Sequence, residues 1–459
     1  MNKSTVKGLQ KNDDVVSLTF KAYWWTNPMW VVLVLLPAII LYALRSSPSQ
    51  YGVWRVSKFV DADTASVMLL GVVSMAIGFA VVSLVKNKPP PSQIFLTRSM
   101  LETLARVSRI SFLLMLLSYV VWTALAIRGG LNIAQIQAVL GFERGAVSGV
   151  KDTAAPVGGL TSFTQLGPAI VVIEMILIRA GMRANKRVIA TVIILAAVRA
   201  LFYGERLALI EVLLPLGFIS FALPLARSGK LRTRIGTWAP VAALPLLWTI
   251  FAVFEYGRSW AAYRTSFNGT YVEFVTQRLS GYYATSVNNS ALFYKSYPRN
   301  TESDALYSFS SVWDAPVLSS LLGSPEVGGV GVRTWWRSTL TTLANPEFNN
   351  PGTFAVTAAE LGTAWMFVYW LLAGVGIALL YRVFRRGELF GLVALPVSYV
   401  GLIELPRIIY WMQGRFTALL LVLLVILYLS RHEKNRVPKV FARIAMEVPT
   451  PENQELTRR

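Results

Sequence analysis

Long apolar runs divided by short polar breaks dominate the chain, at residues 29–44, 64–85, 110–127, 163–178, 188–202, 207–225, 237–256, 354–381, 389–403 and 416–430. A helix crosses a bilayer with about 20 apolar residues, or about 16 where interfacial anchors help, so the pattern predicts about ten transmembrane helices. Trp24, Trp25 and Trp30 flank the first run as an aromatic belt would. KNKPPPS at 86–92 reads as a stiff, extended connector. Only 257–353 interrupts the pattern at length, as a hydrophilic insertion. The expectation is an all-α polytopic membrane protein. It divides into an N-terminal bundle of about seven helices (1–256), a large external loop (257–353), about three C-terminal membrane helices (354–430) and a basic tail (431–459).

Composition strengthens this picture, with 54% of residues hydrophobic and 15% charged. The start of the chain is polar and carries Lys3, Lys7, Lys11 and Lys21, so the first run is expected to act as an uncleaved anchor. Net charge is +20, which basic cytoplasmic loops and anionic lipid explain without nucleic acid. With the N-terminus inside, the short inner loops at 86–109, 179–187, 227–234 and 382–386 are densely basic, as is the tail. That predicts both termini in the cytoplasm and turns the 199–206 break and the 257–353 segment outward.

Charge inside this apolar frame marks the candidate chemistry. The stretch VRALFYGERLALIEVLL (198–214) sets Arg199, Glu205, Arg206 and Glu211 at a tight break between two runs. Each charge at that depth costs about 2.5–3.5 kcal/mol, and such residues face a cavity or a partner. They fit either a site or an Arg–Glu pair capping a helical hairpin. In TYVEFVTQRLSGYY (270–283), Tyr271, Phe274, Arg278 and Tyr282 share one helical face, with Tyr283 beside them. Arg278 there either snorkels or points at an anionic ligand. Glu360 enters its run about two turns after the turn at Pro351 and Gly352, and Glu174 lies near the other end of its own run. A neutral acid that ties helices together is the alternative for each carboxylate. The insertion is rich in aromatics, among them Trp313 and Trp335, which either stack on sugars or pack a core of its own. With no cysteine and a single histidine, His432, thiolate catalysis and histidine clusters are excluded. No acidic pair on the outer side has ligand-like spacing, so no metal and no other cofactor are expected.

Taken together, many spans, one large external loop before the last helices, the break GERLALIEVLLPL and the entry NNPGTFAVTAAELGTAW resemble the Wzy-type O-antigen polymerases, also called oligosaccharide repeat unit polymerases. The resemblance implies a GT-C-like glycosyltransferase of the lipid-carrier type in the bacterial inner membrane. Its substrate would be undecaprenyl-diphosphate-linked oligosaccharide, transferred onto a new repeat unit with undecaprenyl diphosphate as leaving group. Membrane lipid and a chain-length regulator protein would be its other partners. On that reading Arg206, Arg199 and Arg278 hold the diphosphate, because guanidinium forks suit phosphate oxygens. Glu211, Glu360 and Glu205 are the candidates for accepting the hydroxyl proton, while Tyr282, Tyr283, Trp313 and Trp335 would meet the sugars. A lipid-linked-oligosaccharide flippase or other transporter is the alternative, supported by the intramembrane carboxylates. An O-antigen ligase is the second alternative, disfavoured by the lack of a histidine in the external loop.

Overall fold

A computed structural model describes residues 15–447, apart from 86–88, 144, 160, 184, 226–229, 261–262, 299–304, 314, 316–320, 322, 324 and 328. The chain runs through β1 (Val15–Thr19), α1 (Leu36–Arg45), α2 (Ala62–Ser83), β2 (Gln93–Thr97), α3 (Arg98–Arg128), α4 (Ile133–Leu140) and α5 (Ala146–Thr153). It continues through α6 (Gly167–Arg179), α7 (Lys186–Phe202), α8 (Leu207–Ala222), α9 (Ala239–Glu255), α10 (Tyr271–Ser296) and α11 (Val332–Leu343). Last come α12 (Phe354–Leu361), α13 (Thr363–Arg385), α14 (Leu389–Glu404) and α15 (Gly414–Glu447).

Helices dominate, and the apolar ones make this a membrane protein. Among the described residues five helices are long and apolar enough to cross a bilayer: Ala62–Ser83, Arg98–Arg128, Ser162–Arg179, Thr363–Arg385 and Gly414–Glu433. Four shorter apolar helices, Val31–Arg45, Leu207–Ala222, Ala239–Glu255 and Leu389–Glu404, lie among them. One apolar run in the sequence need not be one helix. The 354–381 run divides at Gly362, whose φ of 80° and ψ of 157° stop α12 before α13 begins. Such a backbone is open to glycine and strained for other residues.

The tightest packing in the bundle joins α2 to α13 through small residues. A Cβ at Gly374 would lie 2.9 Å from the Met75 carbonyl carbon, and one at Gly78 equally close to that of Leu371. Between them the Ser74 hydroxyl donates to the Phe367 carbonyl. Close backbone approach of this kind replaces the hydrophobic drive that lipid does not supply. Gly374→Leu is accordingly expected to destabilise the detergent-purified protein by about 3 kcal/mol, the upper range for overpacking. Gly376→Leu, where an added Cβ meets nothing within 4 Å, serves as its control in a thermal melt.

Among the described residues two short strand pairs accompany the helices. β1 pairs antiparallel with β2 from Val15↔Thr97 to Thr19↔Gln93, and Glu326–Val327 pairs with Val330–Gly331. The proline run extends the chain directly into β2. The Thr97 amide and hydroxyl then donate to Glu433 of α15 at 2.6 and 2.9 Å, fixing the pair to the bundle.

The 257–353 segment contributes to the bundle. Its helix α10 enters the bundle rather than lying over it: Ala284, Val287 and Ala291 belong to the main apolar core. Polar residues seat it there. Asn288 Oδ1 accepts from the Phe59 and Val60 amides at 2.6 and 3.0 Å, and its Nδ2 donates to the Ser57 carbonyl at 2.8 Å. Asn289 Nδ2 donates to the Asn350 carbonyl at 3.1 Å. At the end of α10 and after it, Phe293, Leu306, Val327, Trp336 and Leu340 form a second apolar core.

Candidate functional site: a buried arginine–glutamate layer

The end of α7, the starts of α8 and α15, and the ends of α9 and α14 meet at one level, with α10 beside them. Each brings a charge. Arg199, at the last turn of α7, donates from Nε to Glu205 at 3.0 Å. Arg415, in the first turn of α15, reaches Glu205 at 3.6 Å and Glu211 at 3.2 Å. Gln165 lies between them, where an amide with its oxygen toward Arg199 and its nitrogen toward Glu211 would meet them at 2.7 and 3.1 Å. Burial pushes the Glu205 carboxyl up, but Arg199 and Arg415 offset this and hold it below its ordinary value.

Arg206 follows Glu205 in the chain and turns into a second group. It forms an ion pair with Glu255, the last residue of α9, whose other oxygen accepts from Arg278 Nε at 2.9 Å. Arg278 also pairs with Glu347, which accepts from the Tyr263 hydroxyl at 3.1 Å. Glu255 is fully buried, with Arg206 and Arg278 nearly so. A third pair, Arg407 and Glu404 at 2.6 Å, closes the layer. The Tyr282 ring joins the last two groups, with the guanidinium carbons of Arg206, Arg278 and Arg407 at 5.1, 5.9 and 5.6 Å from its centre. Cations at that range are drawn to the face of a ring, the more so in a dry site. Five arginines thus stand against five glutamates among the described residues.

The sequence-derived candidates divide on this geometry. Arg199, Arg206, Arg278, Glu205, Glu211 and Tyr282 lie in the layer, and Tyr283 feels the charges of Glu404 and Arg407. Glu360 is tied elsewhere: it accepts from the Tyr307 and Ser308 amides at 2.8 Å each and from the Ser308 hydroxyl at 2.7 Å, pinning the 305–310 turn to α12. Trp335 packs on Phe293 and Tyr297 at 5.3 and 5.5 Å, and Trp313 rests against the same second core. Glu174 takes the Ser108 hydroxyl at 2.6 Å and ties α3 to α6. Sequence reasoning missed Glu255, Glu347, Glu404, Arg407 and Arg415. Glu255 carried a signal, as a lone carboxylate ending an apolar run that must meet a cation. Among the described residues no group of three or more His, Asp or Glu side chains is placed to hold a metal ion.

No family model matches the chain, and neither the curated proteins nor the solved structures include a match to it.

Proposed function

We propose that the protein is a membrane glycosyltransferase that polymerises undecaprenyl-diphosphate-linked oligosaccharide repeat units at the outer face of the bacterial inner membrane. The observation that carries this reading is the convergence of Arg206, Arg278 and Arg407 on the Tyr282 ring from separate parts of the chain. An aromatic face ringed by guanidinium groups offers a stacking surface for a sugar and forks for a diphosphate in one place.

In the reaction the anomeric carbon–oxygen bond to the diphosphate breaks and its electron pair leaves with the diphosphate. The acceptor hydroxyl oxygen forms the new bond and gives up its proton. Arginines that stabilise the departing charge do so more strongly in a water-poor layer than in solvent. Because the layer is balanced, a diphosphate takes its place by exchanging with Glu255 or Glu347. A carboxylate so released is itself a proton acceptor next to the reacting centre. Glu205 and Glu211 remain candidates for that proton from the Arg415 side. Glu360 serves the fold of the 305–310 turn in this reading.

Purified protein incubated with a lipid-diphosphate-linked repeat unit is expected to yield a ladder of longer glycans. Movement of that lipid across a vesicle membrane without any ladder would make the protein a carrier instead.

A further inference from the structure

A cavity opens beside Arg206, lined by Val139, Val147, Leu201, Val253 and Phe254, with Glu143 at its rim. Its walls are mostly apolar, and Arg206 is the buried charge among the residues that line it. Two short helices, α4 and α5, cover it as a strap. Their apolar contacts form a cluster of Ala126, Val139, Val150 and Ala154 that is separate from the main core. Glycines in the left-handed region stand at three points along the strap, Gly130, Gly145 and Gly159. These are backbone states that glycine adopts without strain.

One contact joins two of the residues that line the cavity, Phe142 and Gly257. The Phe142 ring lies against the backbone of Gly257, where a Cβ would be 2.9 Å from Phe142 Cγ, and edge-on to Tyr256 at 6.3 Å. Phe142 holds this place with a φ of 56°, a strained backbone for an aromatic residue. Around the contact, Ile133, Leu140, Val253 and Tyr256 are all exposed, as are Val241, Leu244 and Leu246 farther along α9. An exposed apolar surface beside a cavity suits contact with lipid.

We infer that this cavity takes the first part of a lipid substrate's hydrocarbon chain, and that α4 and α5 form a lateral gate latched by Phe142 on Gly257. The inference rests on the lipid-diphosphate reading of Arg206. Charge complementarity names the occupant: a mostly apolar cavity with one buried guanidinium in its lining matches the junction of a hydrocarbon chain with an anionic head. Glycine at 257 leaves the ring its seat, and Gly204 does the same for Val147, whose Cγ1 lies 3.1 Å from the position of a Cβ there. Opening the strap frees Phe142 from its strained backbone and exposes the cavity to the bilayer.

The native chain has no cysteine, so a lock can be introduced cleanly. In the double variant Phe142→Cys/Gly257→Cys the two Cβ atoms fall within disulfide reach, which is about 3.5–4.5 Å. The probe is a polyprenyl diphosphate carrying a photoreactive group on its first isoprene units. Reduced protein is expected to be labelled within peptides 139–147 and 253–257, and the same protein when oxidised at least about tenfold less. Val147→Trp, which fills the cavity without a lock, is expected to cut labelling as well, and it decides the matter should the disulfide form incompletely. Equal labelling in the two redox states, or labelling that maps elsewhere, overturns the gate. Ladder synthesis followed in the same samples separates the two readings. Lock-sensitive labelling with no ladder in either state keeps the gate and removes the polymerase, whereas a ladder that persists in the locked protein does the reverse.

Discussion

Arg206→Ala is expected to slow ladder growth by about a hundred- to a thousandfold, the scale on which a single preorganised charge-stabilising donor contributes to a transition state. The structure makes this substitution a cleaner test than most in a buried ion-pair layer. Glu255 keeps its bond to Arg278 at 2.9 Å when Arg206 is gone, so no carboxylate is stranded without a cation. The fold should therefore survive, and the melting temperature of the variant checks that directly. Arg206→Lys should be nearly as damaging, since a point charge reproduces neither the fork nor the stacking on Phe251, whose ring centre is 4.0 Å from the guanidinium carbon. A lysine variant with near-normal ladders would reduce the role to bulk charge. An alanine variant with normal ladders would remove the arginine layer from the chemistry.

Much of this layer was legible in the sequence because burying charge in an apolar frame is costly. Arg199, Arg206 and Glu211 stood out against long runs of Leu, Ile and Val, and Arg278 against its aromatic helical face. Their partners were harder to see. Glu347 lies in a polar turn, where a carboxylate draws no notice, and Arg407 and Arg415 flank short runs in which a basic residue reads as an interfacial anchor. Pairing across more than two hundred residues, as between Glu211 and Arg415, leaves no local trace. The same limit hid the burial of α10. Its mixed composition gives no sign of burial, yet Asn288 and Asn289 are buried where loop backbone supplies hydrogen-bond partners that composition cannot reveal. The strands escaped because five residues each are too short a signal against a helical background.

Removing the carboxylate that two arginines share should have the largest effect on stability. Glu255→Ala removes the counter-ion that the buried Arg206 and Arg278 share, while Arg278 keeps its pair with Glu347. Breaking a buried pair from one side typically costs about 3–5 kcal/mol, because the surviving charge has lost its water and its partner together. A fall of that size in unfolding free energy, read from the melting curve in detergent, is the expected outcome. Glu255→Gln should lose nearly as much, as it keeps the shape and removes the charge. Adding Arg206→Met to the alanine variant should recover part of the loss, since the stranded cation is then gone. Inorganic pyrophosphate gives the experiment its functional edge. If a diphosphate exchanges with Glu255 for the arginines, pyrophosphate must raise the melting temperature of Glu255→Ala more than that of the unmodified protein, in which the carboxylate competes for the same forks. Equal shifts in the two would mean that the anion meets other cations, and that Glu255 holds the bundle together without giving way to a ligand.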